Sequence, residues 1–135
     1  MTTSFVHFPG RAFAALALIA ACLTAPATQA QTRAIEAVSA VARPAHYDGR
    51  CPASIEFIGT IQVNRPITIT YRWERSDRAT GPVKTLTIHR AGESVVERWE
   101  LARRPGEVFR GSATLHVLSP GDHYSNPAGF TLVCR

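Results

Sequence analysis

The sequence predicts an all-β protein, a single antiparallel β-sandwich of about seven short strands preceded by a signal peptide. Three observations predict it. Apolar and polar residues alternate with period two through most of the chain, turn-forming residues recur about every ten positions, and helical periodicity is absent beyond the N-terminal segment. A length of 135 residues allows one ordinary domain and leaves no room for a two-domain enzyme.

The first element is an export signal over residues 1–30. Arg11 precedes an uncharged block, 12–23, and a small-residue exit follows at Ala25-Pro26-Ala27 and Thr28-Gln29-Ala30. A helix needs about 18–20 apolar residues to span a bilayer, so the block is too short to anchor the chain. Cleavage after Ala30 leaves a sandwich domain over 31–135 in the periplasm or outside the cell. The alternative is a membrane-anchored lipoprotein, because Ile19-Ala20-Ala21-Cys22 has the form of a lipobox with Cys22 as the lipidated residue.

An opening strand is placed near 35–41. In the next, Ile55, Phe57, Gly59, Ile61 and Val63 share one parity against Glu56, Thr60 and Gln62. Then Ile67, Ile69, Tyr71 and Trp73 alternate with Thr68, Thr70, Arg72 and Glu74. Weaker runs follow at 84–89, 95–101, 113–118 and 130–134. Asn64-Arg65-Pro66, the stretch 76–82, Ala91-Gly92, Pro105-Gly106 and Ser119-Pro120-Gly121-Asp122 separate them. Trp73, inward on its strand, is the expected centre of the core.

Without Cys22, the domain keeps Cys51 and Cys134, an even pair that in an oxidising compartment reads as one disulfide. Cys51 has the parity of Ile55 and Phe57, and Cys134 that of Phe130 and Leu132, so both thiols face inward if the strands hold register.

Several segments resemble a small bacterial secreted immunoglobulin-like module of fibronectin type III flavour. They are Cys51-Pro52-Ala53, the run Tyr71-Arg72-Trp73-Glu74-Arg75-Ser76-Asp77, Val117-Leu118-Ser119-Pro120, and the closing Ser125-Asn126, Ala128, Phe130, Leu132 and Cys134. The resemblance covers nearly the whole mature chain. It implies an immunoglobulin-like sandwich and supplies no catalytic residues. The chain departs from antibody-type domains, whose bridge joins the second and sixth strands, because its second cysteine lies on the last strand.

Signatures of catalysis are missing. Gly111-Ser112-Ala113 is not a nucleophile elbow. Ser112, His116 and Asp122 are close in sequence, but the strand pattern puts Ser112 and His116 on a solvent face and Asp122 in a turn. Glu97 and Glu100 point to opposite faces, unlike the paired acids of glycosidases. His46, Asp48, Asp122 and His123 lack the close ligand spacing of metal sites, and no phosphate loop or dinucleotide fingerprint is present. No enzyme activity, metal or cofactor is expected.

Arginine is the unusual surface feature. Removing Arg11 leaves fourteen of the fifteen basic residues against ten acids, and only Lys84 among them is lysine. Arg98, Arg103, Arg104 and Arg110 bracket an expected hairpin turn at Pro105-Gly106, while Tyr47 and Tyr124 are expected in loops as contact anchors. The expected function is a non-catalytic binding or adaptor module, with an envelope or extracellular protein or an anionic glycan as partner. The contact surface would be the arginine hairpin or a free strand edge. Inhibition of a secreted or envelope enzyme is the alternative. Nucleic acid is not expected, since exposed aromatics do not interleave with the basic residues. Membrane contact is expected only through Cys22.

Overall fold

A computed structural model describes residues 34–135, so the expected signal peptide and Cys22 lie outside the described residues. The described chain forms nine strands in two facing sheets. In order they are β1 Ile35–Arg43, β2 His46–Gly49, β3 Ala53–Val63, β4 Ile67–Arg75, β5 Lys84–Ile88, β6 Gly92–Leu101, β7 Val108–Ser119, β8 His123–Tyr124 and β9 Ala128–Cys134. One sheet has three strands in the order β1-β3-β6. The other has six, β2-β9-β7-β4-β5, with β8 paired to β7.

The alternating runs are the strands. Ile55, Phe57, Ile61, Val63, Ile69, Tyr71 and Trp73 all point into the space between the sheets and are buried. Phe57 lies at the centre of the aromatic cluster, with ring centroids 5.7 Å from Phe130, 6.1 Å from Trp73 and 6.5 Å from Trp99. Trp73, expected at the centre, sits on its flank and is 2% exposed. Gly59 makes room for it: a Cβ there would meet Leu115 at 2.5 Å and the Trp73 ring at 3.0 Å. Cys51 and Cys134 are bonded, with Cα atoms 5.5 Å apart and a sequence separation of 83. Closing so long a loop removes unfolded-state entropy worth roughly 4–5 kcal/mol in the loop model.

Three expectations are corrected. The large sheet is not wholly antiparallel, because β2 runs parallel to β9 with His46 opposite Thr131 and Gly49 opposite Cys134. Tyr47 and Tyr124 lie in β2 and β8, not in loops. Pro105-Gly106 is no hairpin turn: β6 pairs with β3, and β7 with β4, β8 and β9. The chain therefore crosses between sheets there. Gly106 adopts φ +84°, a conformation glycine reaches at little steric cost. Its N–H donates to the Cys134 carbonyl at 2.8 Å, which ties the crossover to the disulfide.

Candidate functional site

The two lateral sides of the sandwich are finished differently. At the β1 side the Asn126 amide acts as a missing strand partner. Its Nδ2 donates to the Ala40 carbonyl at 2.8 Å, and its Oδ1 accepts from the Ala40 N–H at 3.0 Å. At the other side, among the described residues, β6 pairs only with β3. Facing it are the end of β4 and the turn 76–83. This turn folds back on β4, with Gly81 N–H bonded to the Trp73 carbonyl and Arg75 N–H to the Ala79 carbonyl, both at 2.8 Å.

Between β6 and that turn lies a cleft of about 120 Å³. Its walls include Phe57, Trp73 and Trp99, and its polar residues include Arg75, Glu97 and Arg98. The Arg75 guanidinium lies 4.3 Å from the Trp99 ring centroid and is held there by Asp77, through Nε at 3.2 Å and Nη2 at 2.9 Å. Among the described residues one ion pair, Lys84 to Glu97 at 3.2 Å, joins β5 to β6 across this side. Such a partly exposed pair contributes only about 0–1 kcal/mol.

The outer face of the three-stranded sheet runs up to the β6 edge. Register places Val41, Ile58 and Val96 in one cross-strand row and Arg43, Glu56 and Arg98 in the next but one. Val41 and Val96 are 51% and 49% exposed, so the row ends in apolar surface at both edges. Arg98 donates to Glu56 through Nε at 3.1 Å and Nη2 at 3.0 Å.

The four arginines read as one hairpin do not share a face. Arg98 projects from the small sheet, whereas Arg110, opposite Thr131, projects from the outer face of the large one. Arg103 and Arg104 lie on the crossover between them. Arg103 reaches Glu107 at 3.8 Å and stacks over Phe109 at 4.3 Å. Tyr47 donates to the Arg50 carbonyl at 2.8 Å.

Sequence reasoning missed the burial of His116. It is 4% exposed, with Nδ1 2.7 Å from Glu74 and Nε2 3.0 Å from Asp122. Tyr124 stacks on its ring at a centroid distance of 4.0 Å. The His116 hydrogen bond, assisted by Arg72, holds the Glu74 carboxyl below its ordinary range despite partial burial. Both ring nitrogens thus face carboxylates, and among the described residues no hydrogen bond links His116 to Ser112. Instead the Ser112 N–H donates to Ser76 Oγ at 3.0 Å. The arrangement braces β4, β7 and the turn before β8 and offers no activated nucleophile.

Residues of the sequence pattern do similar bracing. Ser125 Oγ accepts from Leu115 N–H at 2.9 Å, Asp77 Oδ1 accepts from Ala79 N–H at 3.0 Å, and Asn126 closes β1. The possible metal ligands are separated. Asp48 is engaged by Arg135 at 2.6 Å on β2, whereas Asp122 binds His116. Among the described residues no group of three or more His, Cys, Asp or Glu could hold a metal, and no helix is long and apolar enough to cross a membrane.

No family model matches the chain, and no curated protein matches it. Solved structures match in fold. The DNA glycosylase AlkC of Pseudomonas fluorescens, bound to DNA with an abasic-site analogue, is 14% identical with a TM-score of 0.54. That match covers 78% of this chain and 33% of the glycosylase, so this chain spans a third of that protein. A CARDB domain from Pyrococcus furiosus, in complex with di-metal ions, is 10% identical with a TM-score of 0.51, covering 76% of this chain and 97% of that one. The cupredoxin domain of amoB from Nitrosocaldus yellowstonii is 13% identical at a TM-score of 0.39, covering 76% and 89%. The two sheets and the two matches with a TM-score above 0.5 make the fold of the described residues an all-β, immunoglobulin-like sandwich, with a Cys51–Cys134 disulfide.

Proposed function

We propose that this protein is a non-catalytic binding module that works outside the cytoplasm and grips a protein partner along β6. One observation carries the reading: β6 is a ten-residue strand that, among the described residues, is paired on one side only, and it runs beside a cleft. An extended segment of a partner can add to such an edge by main-chain hydrogen bonds, while an alternate side chain enters the neighbouring cavity. The Val41, Ile58 and Val96 row would continue onto the added strand. The Cys51–Cys134 bridge is compatible with an exported protein. An adaptor and an enzyme inhibitor differ here only in the partner's identity.

Affinity capture of the exported protein in high salt tests this reading. Val96→Lys, which puts a charge on the β6 edge, should abolish retention of a stoichiometric protein partner. Val108→Lys, on an exposed residue of the large sheet, should leave it intact. Equal loss in both variants, or retention in both, contradicts the β6 assignment.

A further inference from the structure

The charge of the domain is not spread evenly. Residues 34–135 carry thirteen basic and ten acidic side chains, the fifteen basic residues of the whole chain less Arg11 and Arg33. At the disulfide end three arginines are matched, Arg98 by Glu56, Arg103 by Glu107 and Arg135 by Asp48. Arg43, Arg50, Arg104 and Arg110 remain there, each exposed, against one further acid, Glu100. None of these four has an ion-pair partner among the described residues. The rest of the described chain holds six basic and six acidic residues. The whole excess of three positive charges therefore sits at one end.

Backbone contacts bring these residues there from distant parts of the chain. Cys51, next to Arg50, is bonded to Cys134, and the Arg135 N–H donates to the Gly49 carbonyl at 2.8 Å. Gly106, two residues past Arg104, donates to Cys134, while Arg110 follows Val108, which lies opposite Val133. Arg43 lies across from Glu56 on β3, the neighbouring strand of the small sheet.

We propose that the disulfide end, from Arg43 on the small sheet round to Arg110 on the large one, docks an anionic polysaccharide, separately from the strand pairing at β6 and independently of that reading. Guanidinium forks suit the carboxylates of uronate residues, and several such contacts along a polymer add. Base stacking has little support here: Phe109 is covered by Arg103, and Tyr47 is half-buried with its hydroxyl on Arg50. Insertion into a bilayer has little support either, since the exposed large hydrophobics nearest these arginines are split, Val41 and Val96 at the two edges of the small sheet and Val108 on the large one.

Binding of polygalacturonate to the exported protein is measured across a salt series, beside anionic phosphatidylglycerol vesicles and duplex DNA. Arg104→Gln/Arg110→Gln is compared with Arg78→Gln/Arg90→Gln, which removes the same charge elsewhere. Polygalacturonate affinity should fall about tenfold or more in the first pair and less than about twofold in the second, with a shallower salt slope only in the first. Unchanged melting temperature and absence of free thiol certify each variant as folded. Equal losses in the two pairs, no polygalacturonate binding by the parent protein, or tighter binding to vesicles or DNA would each overturn the proposal.

Discussion

The β1 and β6 sides of the sandwich pose the same physical problem, an outer strand with unpaired backbone groups, and solve it differently. At β1 the Asn126 side chain supplies both a donor and an acceptor to Ala40. At β6 the polar contacts to the facing sheet are the Lys84–Glu97 ion pair and the Arg75 guanidinium over Trp99, beside a cleft walled by aromatic rings. A directed, part-buried pair of hydrogen bonds holds geometry. A partly exposed ion pair holds little, and it can exchange with a partner. The lesson is that an edge is best judged by what satisfies its backbone, since the exposure of Val41 and Val96 is nearly the same.

The largest effect belongs to the wall of the cleft. Trp73→Ala should destabilise the domain by about 3–5 kcal/mol in urea unfolding, because the ring is buried against Phe57 and over Gly59. A near-neutral result would mean that the β6 side lacks the packed wall described. Replacing both Cys51 and Cys134 by Ser should cost about 2–5 kcal/mol and leave the contrast between the two sides unchanged.

The contrast itself is tested next. Asn126→Ala should cost about 1–3 kcal/mol and speed hydrogen exchange at Ala40, whereas Glu97→Gln should cost less than about 1 kcal/mol. Similar costs would erase the distinction between the sides.

The smallest effect is expected from pH. The folded-state pKa of Glu74 is depressed by His116 and Arg72, so its stabilisation is present above the unfolded-state pKa. It is lost as pH falls through the lower folded value. Stability should therefore start to fall as pH drops through the ordinary glutamate range and go on falling below it, and Glu74→Gln should make that acid limb shallower.

How much the sequence revealed depended on the range of the forces involved. The parity of Ile55, Phe57, Ile61 and Trp73 was legible because a strand repeats every two residues, and the cysteine parity followed from it. The β2 and β8 strands were not legible, since His46-Tyr47-Asp48-Gly49 and His123-Tyr124 are too short and polar to alternate. Pro105-Gly106 reads alike whether it closes a hairpin or crosses between sheets. The choice is made by pairing with β9, which lies far along the chain. The alternation alone puts His116 on a solvent face, because its partners Glu74 and Asp122, 42 and 6 residues away, are brought to it only by the fold. The arginines were visible as a cluster, yet their separation onto two outer faces depends on that same crossover.

The most direct test of the account uses the matched valines of one cross-strand row. A photo-crosslinking residue is placed at position 41 or 96 of the exported protein, and the adducts formed in whole cells are compared. The account predicts a discrete protein adduct from 96 and none from 41, although the two sites are 49% and 51% exposed. Equal adducts from both positions, or an adduct from 41 alone, would contradict it.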